Sequence, residues 1–309
     1  MGLVSYLYKK NFVCRYDKEI GVPYYSSKDF KDLKQESYSF TNSKRINIKY
    51  FYYYYDNYKT DKVVLFCHGI GPGHTAYLAE IEALAKHGYK VLTLDYTGCG
   101  ESEGKYLGSL NAPTRDVLEL LDYLKLETPV VLVGHSLGGF TALNVINLRT
   151  DIVKAVIMSG FLSIESIIHH FVSSDFLVNR ILKYESKIEP DFYKLDNLEY
   201  LKTTKDKLFF MQSTDDQMIP YDVSLKVVEE ISNPCIEILK VENRKHNPNY
   251  TDSAVKYMNE VFGNYQYLLK EKQIKTDEER INYFKDVSLA KITEQDQMVI
   301  DKIVNFIEK

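Results

Sequence analysis

Short, continuous apolar runs alternate along this chain with stretches in which apolar residues recur every three or four positions. The runs lie at 63–66, 90–95, 130–133, 153–158, 208–212 and 235–241; the helical patterns lie at 74–87, 112–125, 137–147 and 223–231. An apolar run of four to seven residues is short for a helix and suits a strand buried on both faces. Strands of that kind alternating with helices predict a mostly parallel sheet with helices on both faces. Two further strand-like runs come first, in "SYSFTNSKRINIKYFYYYYDNYKT", with turn signals at Thr41-Asn42-Ser43 and Asp56-Asn57. The "YFYYYY" segment at 50–55 alternates, and aromatic packing near a sheet edge is the expected use of its rings.

The rhythm breaks after Gly160. Ile164, Ile167, Ile168, Phe171 and Val172 follow helical spacing, and no strand-like run returns until 208. That gap is too long for an ordinary connection, so 161–205 is expected to be a helical cap inserted into one domain spanning 1–309. After the last strand come helical patterns at 253–272, 277–289 and 294–307. Residues 251–290 form an extra helical segment before the final helix. A second cap and a contact between two copies of the chain, making a homo-oligomer, are both open readings of it.

Composition narrows the class. The 309 residues are 45% hydrophobic and 27% charged, with a net charge of -4, which gives no electrostatic reason to expect nucleic acid. No run approaches the eighteen or so apolar residues of a membrane span. The opening "MGLVSYLYKKNF" lacks the apolar core of a signal peptide, and Tyr6 stands where a myristoylation signal wants Ser or Thr. Cys14, Cys67, Cys99 and Cys235 have no paired spacing, and Cys67 and Cys235 fall in strand-like runs; buried, reduced thiols and a cytoplasmic location are expected.

Two stretches carry chemistry. "FCHGIGPGHTAY", residues 66–77, is a glycine-rich turn between a strand and a helix. Gly69 and Gly71 supply two glycines of G-x-G-x-x-G, and Asp95 stands where a ribose-binding carboxylate would. Against that, His74 occupies the third glycine position, Pro72 removes an N–H from the loop, and two strand runs precede the unit. The second stretch is "VVLVGHSLGGF", residues 130–140, in which Gly134-His135-Ser136-Leu137-Gly138 is G-x-S-x-G between a strand and a helix. The glycines are needed because the serine sits on a sharp strained turn that lifts its hydroxyl into the open at a helix N-terminus. A serine needs a base and a group to orient that base. Asp215 and Asp216 end one later strand and His246 follows the last, so the chain order is Ser, Asp, His.

With those pieces in hand, the sequence resembles the α/β-hydrolase superfamily, and within it the lysophospholipase, monoacylglycerol lipase and serine-aminopeptidase-like group. The resemblance rests on the His-Gly loop at 68–73, "DYTGCGESEG" at 95–104, "GHSLGG" at 134–139, "DDQMIP" at 215–220 and "KHN" at 245–247. It implies an α/β-hydrolase fold. It also implies Asp216 rather than Asp215 as the acid, since the acid stands four positions before Pro220; two adjacent buried like charges are disfavoured as well. His246 is the base expected from the loop after the last core strand. His68 resembles the histidine that supports the oxyanion segment, His135 is the variable position of the serine motif, and His74 and His87 lie outside both. His169 and His170 fall in the insertion, where a surface or pocket role is expected. Gly69 belongs to the same support.

The reading that follows is a serine hydrolase. His246 takes the Ser136 proton, Ser136 attacks a carbonyl, Asp216 orients the imidazole, and water then cleaves an acyl-enzyme. Leu137 N–H should be one oxyanion donor; the other should be Ile70, with Gly71 next in line. No metal or organic cofactor is required. The expected partner is a small-molecule carboxylic ester with a medium apolar acyl group. The alternatives are a peptidase, an amidase or another acyl-transfer enzyme, and a non-catalytic binding protein on the same fold.

Overall fold

The computed structural model describes residues 3–195 and 197–309. Its strands are β1 (Lys34–Thr41), β2 (Asn47–Tyr54), β3 (Val63–Cys67), β4 (Lys90–Leu94), β5 (Val130–His135), β6 (Lys154–Met158), β7 (Lys207–Ser213) and β8 (Ile236–Val241). They form one sheet in the order β1-β2-β4-β3-β5-β6-β7-β8, antiparallel at β1–β2 and β2–β4 and parallel elsewhere. The helices are α1 (Leu3–Asn11), α2 (Leu78–Lys86), α3 (Ala112–Leu124), α4 (Leu137–Leu148), α5 (Ile164–Phe171) and α6 (Asp175–Ile188). Then follow α7 (Leu198–Thr203), α8 (Leu225–Glu229), α9 (Asp252–Lys270), α10 (Asp277–Phe284), α11 (Leu289–Ile292) and α12 (Gln297–Glu308). This is the α/β-hydrolase arrangement, a mostly parallel sheet with helices on both faces.

The two-residue period of a strand divides the core. Leu65 and Cys67 of β3 point to the face covered by α3 and α4, where they meet Leu132, Phe140, Leu143 and Ile157. Val64 and Phe66 point to the other face, against Ile81 and Leu84 of α2 and Val299, Ile303 and Phe306 of α12. At about 25 cal/mol per Å² of apolar surface, these two layers supply the main drive for folding. The outer strands β1 and β8 carry exposed charges, Glu237 and Lys240 among them on β8, which discourages pairing with another sheet. On β2 the rings pack on both faces: Tyr38 stacks on Tyr50 at 5.4 Å, and Phe51 stacks on His74 at 3.9 Å.

Several elements depart from the periodic pattern. The helix expected at 74–87 begins with a 3-10 turn at His74–Tyr77, because the His74 N–H donates to the Asp95 carboxylate rather than entering a helix. The helix expected at 223–231 shrinks to α8, broken at Ser224, whose hydroxyl donates to the Gly160 carbonyl. The pattern at 277–289 is two helices, α10 and α11, and Cys235 precedes β8 and is only half-buried. All four cysteines are free. Between β6 and β7 lie α5, α6 and α7, and α1 packs beside α6. There the Tyr8 hydroxyl donates to Glu185 Oε1 at 2.7 Å, and Ser109 Oγ and Leu110 N–H donate to the same carboxylate. Burial pushes the Glu185 carboxyl up, and these donors offset part of that cost. Helices α9 and α10 share a small core of their own around Val261, Tyr265, Ile274 and Phe284. No helix among the described residues is long and apolar enough to cross a membrane.

Candidate active site

Ser136 is the residue between β5 and α4, with φ 56° and ψ -122°. That left-handed, strained backbone is costly for a residue with a side chain and persists only where the surroundings enforce it. Here the Ser136 N–H donates to Met158 O of β6 at 2.9 Å, and the flanking glycines allow the tight turn. A Cβ on Gly138 would stand 1.9 Å from the Cys67 carbonyl oxygen, and one on Gly134 would stand 2.1 Å from that of Gly138. The two ends of the motif therefore pass too close to neighbouring backbone for any side chain.

His246 follows β8, and its Nδ1 lies 2.8 Å from Asp216 Oδ2. A carboxylate accepts, so Nδ1 carries the proton and Nε2 is left free to act as a base. The other oxygen, Asp216 Oδ1, accepts the N–H groups of Met218 and Ile219 at 2.9 and 3.0 Å. These bonds are the physical content of the D-x-x-I-P spacing: the turn holds the carboxylate while Asp216 is buried to 5% exposure. Asp215 faces away. It accepts from Ser213 Oγ, from Lys245 N–H at 3.1 Å and from Lys245 Nζ at 3.3 Å. Partial burial works to raise the Asp215 carboxyl, and these donors outweigh it and bring it below the usual range.

The glycine loop presses against the serine. A Cβ on Gly69 would stand 3.1 Å from Ser136 Cβ and 2.3 Å from the Tyr77 hydroxyl. His68 Nδ1 donates to Gly69 O at 2.7 Å, its Nε2 faces the Tyr96 N–H, and burial depresses the ring to about 4, so it is neutral. Because a trans peptide holds C=O and N–H on opposite sides, fixing the Gly69 carbonyl also fixes the direction of the Ile70 N–H. The amides of Ile70, Gly71 and Leu137 have no acceptor among the described residues. Ile70 and Leu137 line a cavity of about 530 Å³ together with Ser136 and His246; Gly71 does not. Asp95, the would-be ribose ligand, is occupied within the protein. It accepts from His74 N–H and Nδ1 at 2.7 and 2.8 Å and from Glu101 N–H at 2.8 Å, tying the glycine loop to the "DYTGCGESEG" turn.

Two further residues join the site, Tyr77 and His135. His135 Nε2 lies 2.7 Å from the His246 carbonyl oxygen, which can only accept, so Nε2 carries the proton. The bare Nδ1 then accepts from the Tyr77 hydroxyl at 3.0 Å. Tyr77 in turn receives the Gly69 N–H. Burial, with His246 nearby, depresses His135 to about 3, so the link stays neutral. Loop 69–70, the serine turn and the His246 loop are thereby joined by one hydrogen-bonded chain. Only the histidine beside Ser136 hinted at this in the sequence, because both ends of the chain are backbone groups. His87, His169 and His170 lie elsewhere: His87 bonds Ala83 O at 2.8 Å, and His169 sits near Glu165 and Asp175 on the surface. Among the described residues there is no cluster of side chains suited to a metal ion.

Known proteins resemble this chain in sequence or in fold. The esterase Pf2001 of Pyrococcus furiosus superposes with a TM-score of 0.58 at 20% identity, over 82% of this chain and 98% of that one. An epoxide hydrolase of Caballeronia sordidicola is 38% identical over 96 residues, 30% of this chain and 29% of that protein. The lysophosphatidylserine lipase ABHD12 of Xenopus tropicalis is 28% identical over 186 residues, 53% of this chain and 45% of the relative. The chain thus spans less than half the length of these two relatives. Residues 58–249, from just before β3 to just past His246, match the serine aminopeptidase, S33 family. That span includes the serine turn, both aspartates and the histidine loop, and it covers most of the chain: the protein belongs to the serine aminopeptidase S33 family, on the α/β-hydrolase fold.

Proposed function

We propose that the protein is a serine hydrolase that cleaves carboxylic esters of medium apolar acids through an acyl-enzyme on Ser136. The observation that carries this reading is the meeting of the strained Ser136 with the Asp216-oriented His246 in one cavity. His246 Nε2 accepts the Ser136 proton as Oγ attacks the carbonyl carbon. The carbonyl oxygen, now anionic, receives the N–H groups of Leu137 and Ile70, each worth a few kcal/mol in such a site. His246 then protonates the leaving oxygen, and afterwards takes a proton from the water that cleaves the acyl-enzyme.

The cap reading belongs to the same proposal. Helices α5 and α6 roof the cavity, and Phe161, Ile167, Ile168 and Ile181 give it an apolar wall suited to an acyl chain. An aminopeptidase would need a carboxylate to hold a free α-amino group; none lines the Ser136 cavity among the described residues, which favours an ester. Four free thiols agree with a cytoplasmic setting.

A fluorophosphonate probe tests the nucleophile directly. Labelling of the wild type that disappears in Ser136→Ala is expected, together with turnover of p-nitrophenyl esters of medium chain length. An unlabelled wild type would sink the reading. The neutral link gives a second expectation. Tyr77→Phe leaves a buried His135 Nδ1 and the Gly69 N–H unpaired, at a cost of about 1–3 kcal/mol. It should lower kcat about tenfold with KM nearly unchanged, since the groups it frees position the oxyanion loop and His246 rather than the acyl chain. A rise in KM alone would show that Tyr77 serves the substrate pocket instead.

A further inference from the structure

Helix α1 and the residues just after it form one wall of the cavity that holds Ser136 and His246. Tyr8, Asn11, Phe12 and Tyr16 line that cavity beside Leu110 and Ile181. All four lie outside residues 58–249, so the match to the family does not account for this wall. Two sets of bonds fix where it stands. Tyr16 N–H donates to Gly98 O and Gly100 N–H to Tyr16 O, both at 2.9 Å, and Leu107 N–H donates to Cys14 O at 3.0 Å. The Arg15 guanidinium adds bonds to the carbonyls of Gly100, Ser102 and Gly104 at 3.0, 3.1 and 2.8 Å. At the other end, the Tyr8 hydroxyl donates to the fully buried Glu185, and the Tyr8 ring meets Tyr184 of α6 edge-on at 5.8 Å. A carboxylate taken out of water needs its donors, so α1, α6 and the Leu110 segment are held together as one wall.

We infer that the acyl chain runs against this α1 wall, and that Asn11 and Phe12 set the longest acid the site accepts. The inference rests on the ester-hydrolase reading above and deepens it. The sheet order gives the direction. Ser136 follows β5, and the α1 wall is tied to the loop after β4. Residues 217–219 and His246, also in the cavity wall, follow β7 and β8, on the opposite side of β5. At the tetrahedral carbon the oxyanion faces Ile70 and Leu137. The leaving oxygen must face His246, which protonates it as the bond to carbon breaks. The remaining substituent, the acyl chain, is directed away from His246 and so toward α1.

Each methylene that enters an apolar site is worth about fourfold in kcat/KM, until the chain meets a side chain that it cannot displace. On the α1 side Tyr8 cannot yield, since its hydroxyl is bonded and its ring is buried to 4% exposure. Phe12 stacks on Tyr8 at 5.8 Å and is 48% exposed, with the cavity on one side and solvent on the other. It stands at the rim, where its removal opens the cavity to water without leaving a hole in the core. Asn11 is also exposed, and its amide donates to Leu7 O one turn back in α1, so a larger side chain there has room to fold.

The test uses the full-length protein with p-nitrophenyl acetate, octanoate and myristate. Phe12→Ala should raise kcat/KM for the myristate itself, and about tenfold relative to the acetate, a gain that misfolding cannot produce. Asn11→Trp, which narrows the same side, should lower kcat/KM for the octanoate about tenfold relative to the acetate. Ethyl octanoate separates acid from alcohol: Asn11→Trp should reduce its turnover by the same factor as that of p-nitrophenyl octanoate. Changes that are uniform across the three acids in both variants, or an Asn11→Trp loss that follows the alcohol instead of the acid, overturn the inference and leave the hydrolase reading intact. No turnover of the acetate by the wild type overturns the hydrolase reading and this inference with it.

Discussion

Asp216→Asn is expected to lower kcat/KM about ten-thousand-fold, while Asp215→Asn costs less than about tenfold. The difference follows from what each carboxylate holds. Two backbone N–H groups, from Met218 and Ile219, converge on Asp216 Oδ1, so that position needs an acceptor. An asparagine there keeps its carbonyl oxygen toward those donors and turns its NH₂ toward His246 Nδ1. Nδ1 must then accept, the ring proton moves to Nε2, and the face toward Ser136 holds a donor where a base is needed. The Oδ1 partners are retained and only the long Gln212 Nε2 contact to Oδ2, 3.5 Å, is lost, so the fold is expected to persist; an unchanged unfolding transition would confirm that. Asp215 is partly solvated, and its partners are Ser213 and Lys245, whose loss touches neither ring nitrogen. Steady-state kinetics of the two variants on one ester decide the matter. Comparable losses in both, or the larger loss in Asp215→Asn, would reassign the acid.

The residues of the candidate site could be picked out in the sequence to the extent that their chemistry is local. Gly134, Ser136 and Gly138 announce a strand–turn–helix because only glycine survives within 2.1 Å of neighbouring carbonyl atoms. Asp216 and His246 follow from strand ends, and those follow from continuous apolar runs. What stayed hidden depends on partners that leave no trace in side-chain identity. His135 is held by the carbonyl of His246, and a carbonyl belongs to every residue. The break of the helix at 74–77 is made by Asp95, twenty-one positions from His74, whose backbone it captures. Helix α1 is nine residues long, too short to persist alone in water, and its place depends on Tyr8 reaching Glu185 far along the chain. The tail helices were legible by period, but not their position against 19–25, because periodicity names an apolar face without naming what covers it.

Stability should fall steeply as pH drops from 6.5 toward 4.5, and the two buried neutral histidines are the reason. His68 is depressed to about 4 and His135 to about 3, both chiefly by burial. In the unfolded chain each titrates near 6.5. Between those limits the unfolded state binds about two more protons than the folded one, so stability is full above 6.5. It is lost as pH falls, at roughly 2.7 kcal/mol per pH unit near pH 5. Against a typical total of about 5–15 kcal/mol that is a large share. Glu80 and Glu185 act in the opposite sense. Burial raises both, so the folded state takes up their protons at higher pH than the unfolded state does, which offsets part of the loss. Asp95 and Glu308 are lowered and add their own destabilisation only at more acid pH, as their folded-state carboxylates become protonated. The histidine share is isolated by His135→Gln, in which the amide can still donate to the His246 carbonyl and accept from Tyr77. Urea unfolding of wild type and variant at pH 7 and pH 5 should show the wild type losing about 2 kcal/mol more than the variant over that interval. Equal losses would mean that His135 is protonated in the folded protein and that the Tyr77–His135–His246 link is not the neutral one its donors and acceptors require.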